Sequence, residues 1–154
     1  MTIKKYLTLP NALCVFIAFV FLQSLPFKFS NSLETQHIFG TLGEWSGIAW
    51  FGLYGGYMVG IAELIAAVLL FTKWRSLGSI MAIGIMTGAI FFHLFTPLGI
   101  VMPHFNADTG AQIGDDSGIL FMMACGTWVC AVIVTYLESK NPASFIGQYL
   151  SKEA

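Results

Sequence analysis

The chain has 154 residues, 56% of them apolar and 10% charged, with a formal net charge of −1 and a mean hydropathy of +0.77. A soluble domain carries about 25% charged residues, so the charges here are too few to solvate a globule of this size, and the length allows one domain. Seven Lys and Arg are too few for a basic stripe that tracks phosphates, which excludes nucleic acid as a partner.

Four stretches reach the roughly 20 apolar residues that cross a ~30 Å hydrocarbon core. They cover about residues 6–27, 45–72, 76–97 and 118–137. The first and fourth carry no charge, the second is interrupted only by Glu63, and the third only by His93. Lipid cannot satisfy exposed backbone groups, so each is predicted helical despite the abundance of Phe, Ile and Val. The first stretch follows Lys4 and Lys5 like a signal peptide, but it is long and has no A-x-A cleavage site after it, so it reads as retained. The expected fold is all-α: one integral membrane domain over 1–154, a four-helix bundle with a polar tail over 138–154.

Orientation follows from the basic residues near the segment ends. Lys4, Lys5, Lys73, Arg75, Lys140 and Lys152 fall on one side, and Lys28 alone on the other. This split predicts a multi-pass protein of the cytoplasmic membrane with both termini cytoplasmic and two longer loops, about 28–44 and 98–117, facing outward. Asp115 and Asp116, just before the fourth helix, are suited to cap its free N–H groups. Phe27, Trp45 and Trp50 fit an outer aromatic belt, and Tyr6, Trp74 and Tyr136 an inner one. Trp128 falls at mid-membrane, where its N–H needs either a buried partner or a cavity. In the tail, Phe145, Ile146, Tyr149 and Leu150 have the spacing of a short surface helix; the alternative is a loosely ordered tail.

The second segment is the most informative. Gly52, Gly56 and Gly60 recur every four residues and Glu63 follows three later, so all four share one helix face. Small residues at this spacing let another helix approach closely, which turns Glu63 into the bundle and away from lipid. A carboxyl near the bilayer centre carries a cost of at least about 2.5 kcal/mol on insertion scales, and such residues commonly mark a functional site. The competing reading is a structural carboxyl bonded to a neighbouring backbone group. The third segment carries Gly84 and Gly88, one turn apart, as a second packing site, and His93 in its outer third. His93 is either a satisfied interface histidine or a ligand or proton-relay group. A rise of 1.5 Å per residue puts Glu63 and His93 roughly 10–15 Å apart in height, with Tyr57 among the residues available between them.

Cys14, Cys125 and Cys130 all lie in apolar runs without a C-x-x-C spacing, and they read as small core hydrophobes. Asn106, Asp108 and Gly110 echo a calcium loop but lack its remaining ligands. His37, His104 and Asp108 have no recognised metal-ligand spacing, so no metal is expected. No G-x-S-x-G, Walker, H-E-x-x-H or Rossmann pattern occurs.

Taken together, the charged start, Phe27-Lys28-Phe29, Leu42-Gly43, Gly60-Ile61-Ala62-Glu63-Leu64, Arg75 after the second segment and the late His93 resemble the DoxX-like family of small four-helix bacterial membrane proteins. The resemblance covers roughly residues 6–137. It implies that Lys28 and Glu63, together with His93, are the polar positions of interest. It also implies a membrane subunit of a larger, quinone-linked redox complex, with quinone as the cofactor. Lys28 itself is expected at the outer rim, contacting headgroups or a partner. A fold analogy does not establish an activity, so three alternatives stand beside it. A stand-alone quinone-binding oxidoreductase requires Glu63, His93 and Trp128 to face one apolar cavity. A proton or small-solute carrier requires a polar track across the membrane. An architectural subunit requires only the glycine face.

Overall fold

The computed structural model describes residues 8–153, with side chains as far as Tyr149. The expected helix start at Tyr6, the orienting Lys4 and Lys5, and the side chains of Leu150 and Lys152 lie outside the described residues. The elements run α1 (Leu9–Phe29), α2 (Leu33–Ser46), α3 (Ala49–Leu69), α4 (Arg75–Phe95), β1 (Pro103–Phe105), β2 (Gln112–Asp115), α5 (Ile119–Ser139) and α6 (Phe145–Glu153).

Helices α1, α3, α4 and α5 have 21 residues each and are long and apolar enough to cross a membrane. By length and composition the chain is therefore a multi-pass membrane protein. No more than 33% of any of the four is buried inside the protein. Their outward faces carry exposed Phe19, Leu53 and Met122, side chains that lipid accommodates and water does not. The four pack in a ring in which α1 and α4 each touch both α3 and α5. The starts of α1 and α4 meet the end of α5, because Arg75 donates from Nη2 to Asn11 Oδ1 at 2.9 Å and lies 3.5 Å from Glu138. Both ends of the bundle segment thus share one face of the protein.

Two features depart from the expected fold, and both lie on the opposite face. The 28–44 connection is a helix. Ser32 caps α2 by accepting the Thr35 N–H at 3.3 Å, and Gly47 ends it in the left-handed region at φ 70°. Trp45 belongs to this helix, and the expected 45–72 segment is broken before Ala49. Helix α2 is 14 residues long, about 21 Å, and packs along the N-terminal half of α3. The contact is close because a Cβ on Gly43 would stand 2.7 Å from Gly52 Cα. The second departure is that the fold is not purely helical: β1 and β2 form an antiparallel hairpin with an irregular register between His104 and Phe105. These strands of three and four residues are too short to leave a periodic signal. At their turn, Asn106 Oδ1 accepts the N–H groups of Asp108 and Thr109, which is an Asx turn.

The interior falls into two apolar clusters. The larger, toward the face where Asn11, Arg75 and Glu138 meet, includes Ile17, Phe21, Ala66, Leu70 and Val134, all fully buried. The smaller consists of Leu42, Leu98 and Met102 with Ile38, Phe51 and Phe92 packed on it. At the tail, α6 lies against α4 and α5, with Phe145 ring-to-ring with Trp74 at 5.0 Å. Pro26 sits inside α1, so the Leu22 carbonyl lacks its helical N–H donor.

Candidate functional site

Helix α1 ends beside the middle of α3, since Phe29 and the Lys28 stem pack on Gly60. That places Lys28 at the height of Glu63. The Lys28 ammonium donates to Glu63 Oε2 at 2.7 Å and to Ser24 Oγ at 2.7 Å. The single Ser24 hydroxyl proton faces Glu63 Oε2 at 2.9 Å and the Phe21 carbonyl at 2.7 Å. Both donors to the carboxylate use Oε2, and Oε1 takes no part in these bonds. The side chains of Lys28 and Glu63 are 17% and 4% exposed. An ion pair this deep is held only where further hydrogen bonds offset desolvation, and Ser24 supplies them. Lys28 is therefore not a free rim residue as its position after the first segment suggested. A lysine at the end of a helix that stops beside the middle of α3 meets the nearest carboxylate instead of headgroups.

Between the two apolar clusters lies a cavity of about 430 Å³. Lys28, Glu63 and His93 line it, and Phe39, Phe51, Met86 and Phe92 make much of its apolar wall. Met58 and Gly84, both on its lining, are exposed and flank a mouth between α3 and α4. Gly84 and Gly88 were expected to pack a partner helix. Instead, a Cβ on either would meet nothing within 4 Å, and both glycines line the cavity. Their missing side chains leave volume for a guest. Gly52, Gly56 and Gly60 do face neighbours, respectively the α2 backbone, Thr35 with Phe39, and Phe29 with Lys28.

His93 is 8% exposed. Its Nδ1 lies 2.6 Å from the Gly99 carbonyl, and a carbonyl only accepts, so Nδ1 carries the hydrogen. The ring stands edge-on to Phe121. Tyr57 does not belong to the site: it lies on an exposed face, about 120° around the helix from Glu63 at 100° per residue. Trp128 also stays out of the cavity, its Nε1 donating to Thr87 Oγ1 at 2.9 Å.

Sequence reasoning did not bring together the groups on the hairpin side. A second cavity of about 480 Å³ lies there, lined by Ser24, Lys28, Glu34, His104 and Asp116 among others. Burial pushes the Glu34 carboxyl up, but the N–H groups of Glu34 and Phe105, the Ser32 hydroxyl and nearby His104 outweigh it and hold it below the ordinary carboxylate value. Asp116 is lowered in the same way. Burial opposes ionisation, and the N–H groups of Leu120, Met102 and Gly118, with His93 nearby, prevail. Asp116 thus caps α5 as the acids before the fourth segment suggested, and it also ties down Met102 at 2.7 Å. Its neighbour Asp115 bonds to Ser117. Comparison with protein-family models, curated proteins and solved structures finds no match for this chain.

Proposed function

We propose that the protein binds the polar head of a lipid-soluble ligand in the cavity between α3 and α4, and that it does so as a membrane subunit of a redox complex. The observation that carries this reading is that Lys28, Glu63 and His93 line one mainly apolar cavity. Its volume lies within the usual range for small-molecule sites, and its few polar groups are of the kind that fix orientation. The remaining N–H of the Lys28 ammonium suits a carbonyl oxygen of a quinone, and the unengaged Glu63 Oε1 and the acceptor Nε2 of neutral His93 suit its hydroxyls after reduction. The quinone and the subunit role come from the resemblance to DoxX-like proteins; the cavity supplies the ligand-binding part. The basic residues Lys73, Arg75 and Lys140 support cytoplasmic termini in the inner membrane, with α2 and the hairpin outside.

The test is titration of the purified protein in lipid nanodiscs with a short-chain quinone, read as a shift in unfolding temperature. A ligand at 100 times its Kd stabilises by about 2.7 kcal/mol. Gly88→Leu, which fills the cavity, should abolish the shift while leaving the unliganded protein folded. An unchanged unfolding temperature across the quinone series in the unsubstituted protein sinks the proposal.

A further inference from the structure

Lys28 lines both cavities, and this has a consequence for sidedness that does not depend on which ligand the inner cavity takes. On the hairpin face the outer cavity brings polar side chains (Ser24, Glu34, His104, Asp116) up to the Lys28 stem and ammonium. On the opposite face, below Glu63, the packing is apolar and closed: Ile17, Phe21, Ala66 and Leu70 have no exposed surface. In that direction lie the fully buried hydroxyls of Thr127, Ser79 and Ser76, with Thr135 donating to Ser79 at 2.8 Å, and beyond them the Asn11–Arg75–Glu138 clamp. Directly above the inner cavity the Leu42–Leu98–Met102 cluster closes the way. The lateral path past Lys28 is what joins the buried carboxylate to the outer cavity.

We propose that Lys28 is the junction of a one-sided aqueous route: small polar solutes reach the Glu63 site from the hairpin face of the membrane and not from the other face. In this arrangement the Lys28 stem partitions the two cavities while its ammonium neutralises the acid at the inner end. The inner cavity's mouth between α3 and α4 faces acyl chains, which do not conduct charged solutes, so the outer cavity is the polar approach to the site.

The test uses the full chain in sealed vesicles of each orientation, with Cys14, Cys125 and Cys130 replaced by Ala. Ser24→Cys is a near-isosteric reporter beside the ion pair, Ala62→Cys reports on the inner cavity wall, and Ala18→Cys reports on the apolar plug. The probe is a membrane-impermeant cationic methanethiosulfonate, and correct folding is established by monodisperse elution in mild detergent. Ser24→Cys should react at least about tenfold faster from the hairpin face than from the other, because a charged reagent does not cross the hydrocarbon core. Ala18→Cys should stay unreacted from both faces. Adding Lys28→Ala should accelerate labelling of Ala62→Cys from the hairpin face severalfold. Equal rates at Ser24→Cys from the two faces, faster labelling from the clamp face, or an Ala62→Cys rate unmoved by Lys28→Ala would each overturn the proposal. No quinone enters this experiment, so its failure leaves the ligand-binding reading standing, and the reverse also holds.

Discussion

Among the described residues two ionic contacts tie the helices together, and they differ in what surrounds them. Lys28 and Glu63 meet at 2.7 Å in the middle of the protein, with a cavity on either side of the lysine. Arg75 and Glu138 meet at 3.5 Å at one end. There the guanidinium also donates from Nε to the Leu70 carbonyl at 3.0 Å and from Nη2 to Asn11 at 2.9 Å. Neither Arg75 nor Glu138 lines a cavity described above. The end contact spends a planar fork on three helices and serves as a fastener. The central one uses a point charge and leaves one carboxylate oxygen for something else. Proximity of opposite charges therefore does not identify a site; the space left beside them does.

The sharpest way to break this comparison is to remove one central partner. Lys28→Met strands a buried carboxylate and should cost about 3–5 kcal/mol, whereas Lys28→Met with Glu63→Met should recover most of that loss. Thermal unfolding in detergent measures both, and a double variant as weak as the single one contradicts the account. At the end contact, Arg75→Lys keeps the charge but loses the fork, so a cost of about 1–2 kcal/mol is expected in the same assay. A loss as large as that of Lys28→Met would erase the distinction between the two contacts.

The glycines sharpen it further. Gly43→Ala drives a Cβ into the α3 backbone at Gly52 and should destabilise by about 1–3 kcal/mol. Gly84→Ala meets only open space and should gain about 0.5–1 kcal/mol of helix stability while weakening any ligand of the inner cavity. The smallest effect belongs to Asp116. Its carboxyl ionises below its unfolded value, so its contribution is complete above the ordinary carboxylate range near pH 4 and fades as pH falls through the lowered folded value. The stability gap between the unsubstituted protein and Asp116→Asn should close in acid, and a gap constant to the lowest pH would show that ionisation plays no part.

The four long helices were legible because length and absence of charge are properties of a segment by itself. Glu63 and His93 stood out for the same reason, as ionisable residues in apolar runs. Helix α2 did not, although its signals are present: the Ser32 cap, the Thr35–Phe39–Leu42–Gly43 spacing and the Gly47 stop. A search for spans passes over a helix that carries Glu34, His37 and Glu44. Missing α2 had a further effect. The partnership of Lys28 with Glu63 depends on α1 ending halfway along α3, and α2 is what covers the remaining half. The sequence showed Lys28 as a cation beyond the end of a span, and only the unequal reach of the helices brings it inside. Gly84 and Gly88 meet nothing within 4 Å in this chain and line the cavity, and an absent side chain reads the same whether it admits a helix or leaves a hollow.

Pro26 bears on how firmly that lysine is held. With the Leu22 carbonyl deprived of its donor, the last turn of α1 is moored to the shaft of the helix by one strut fewer than its neighbours. The turn so loosened is the one that carries Lys28. Where the ammonium rests is then decided less by the helix that bears it than by the acid that attracts it. Any guest that competes for that acid would pull on this turn.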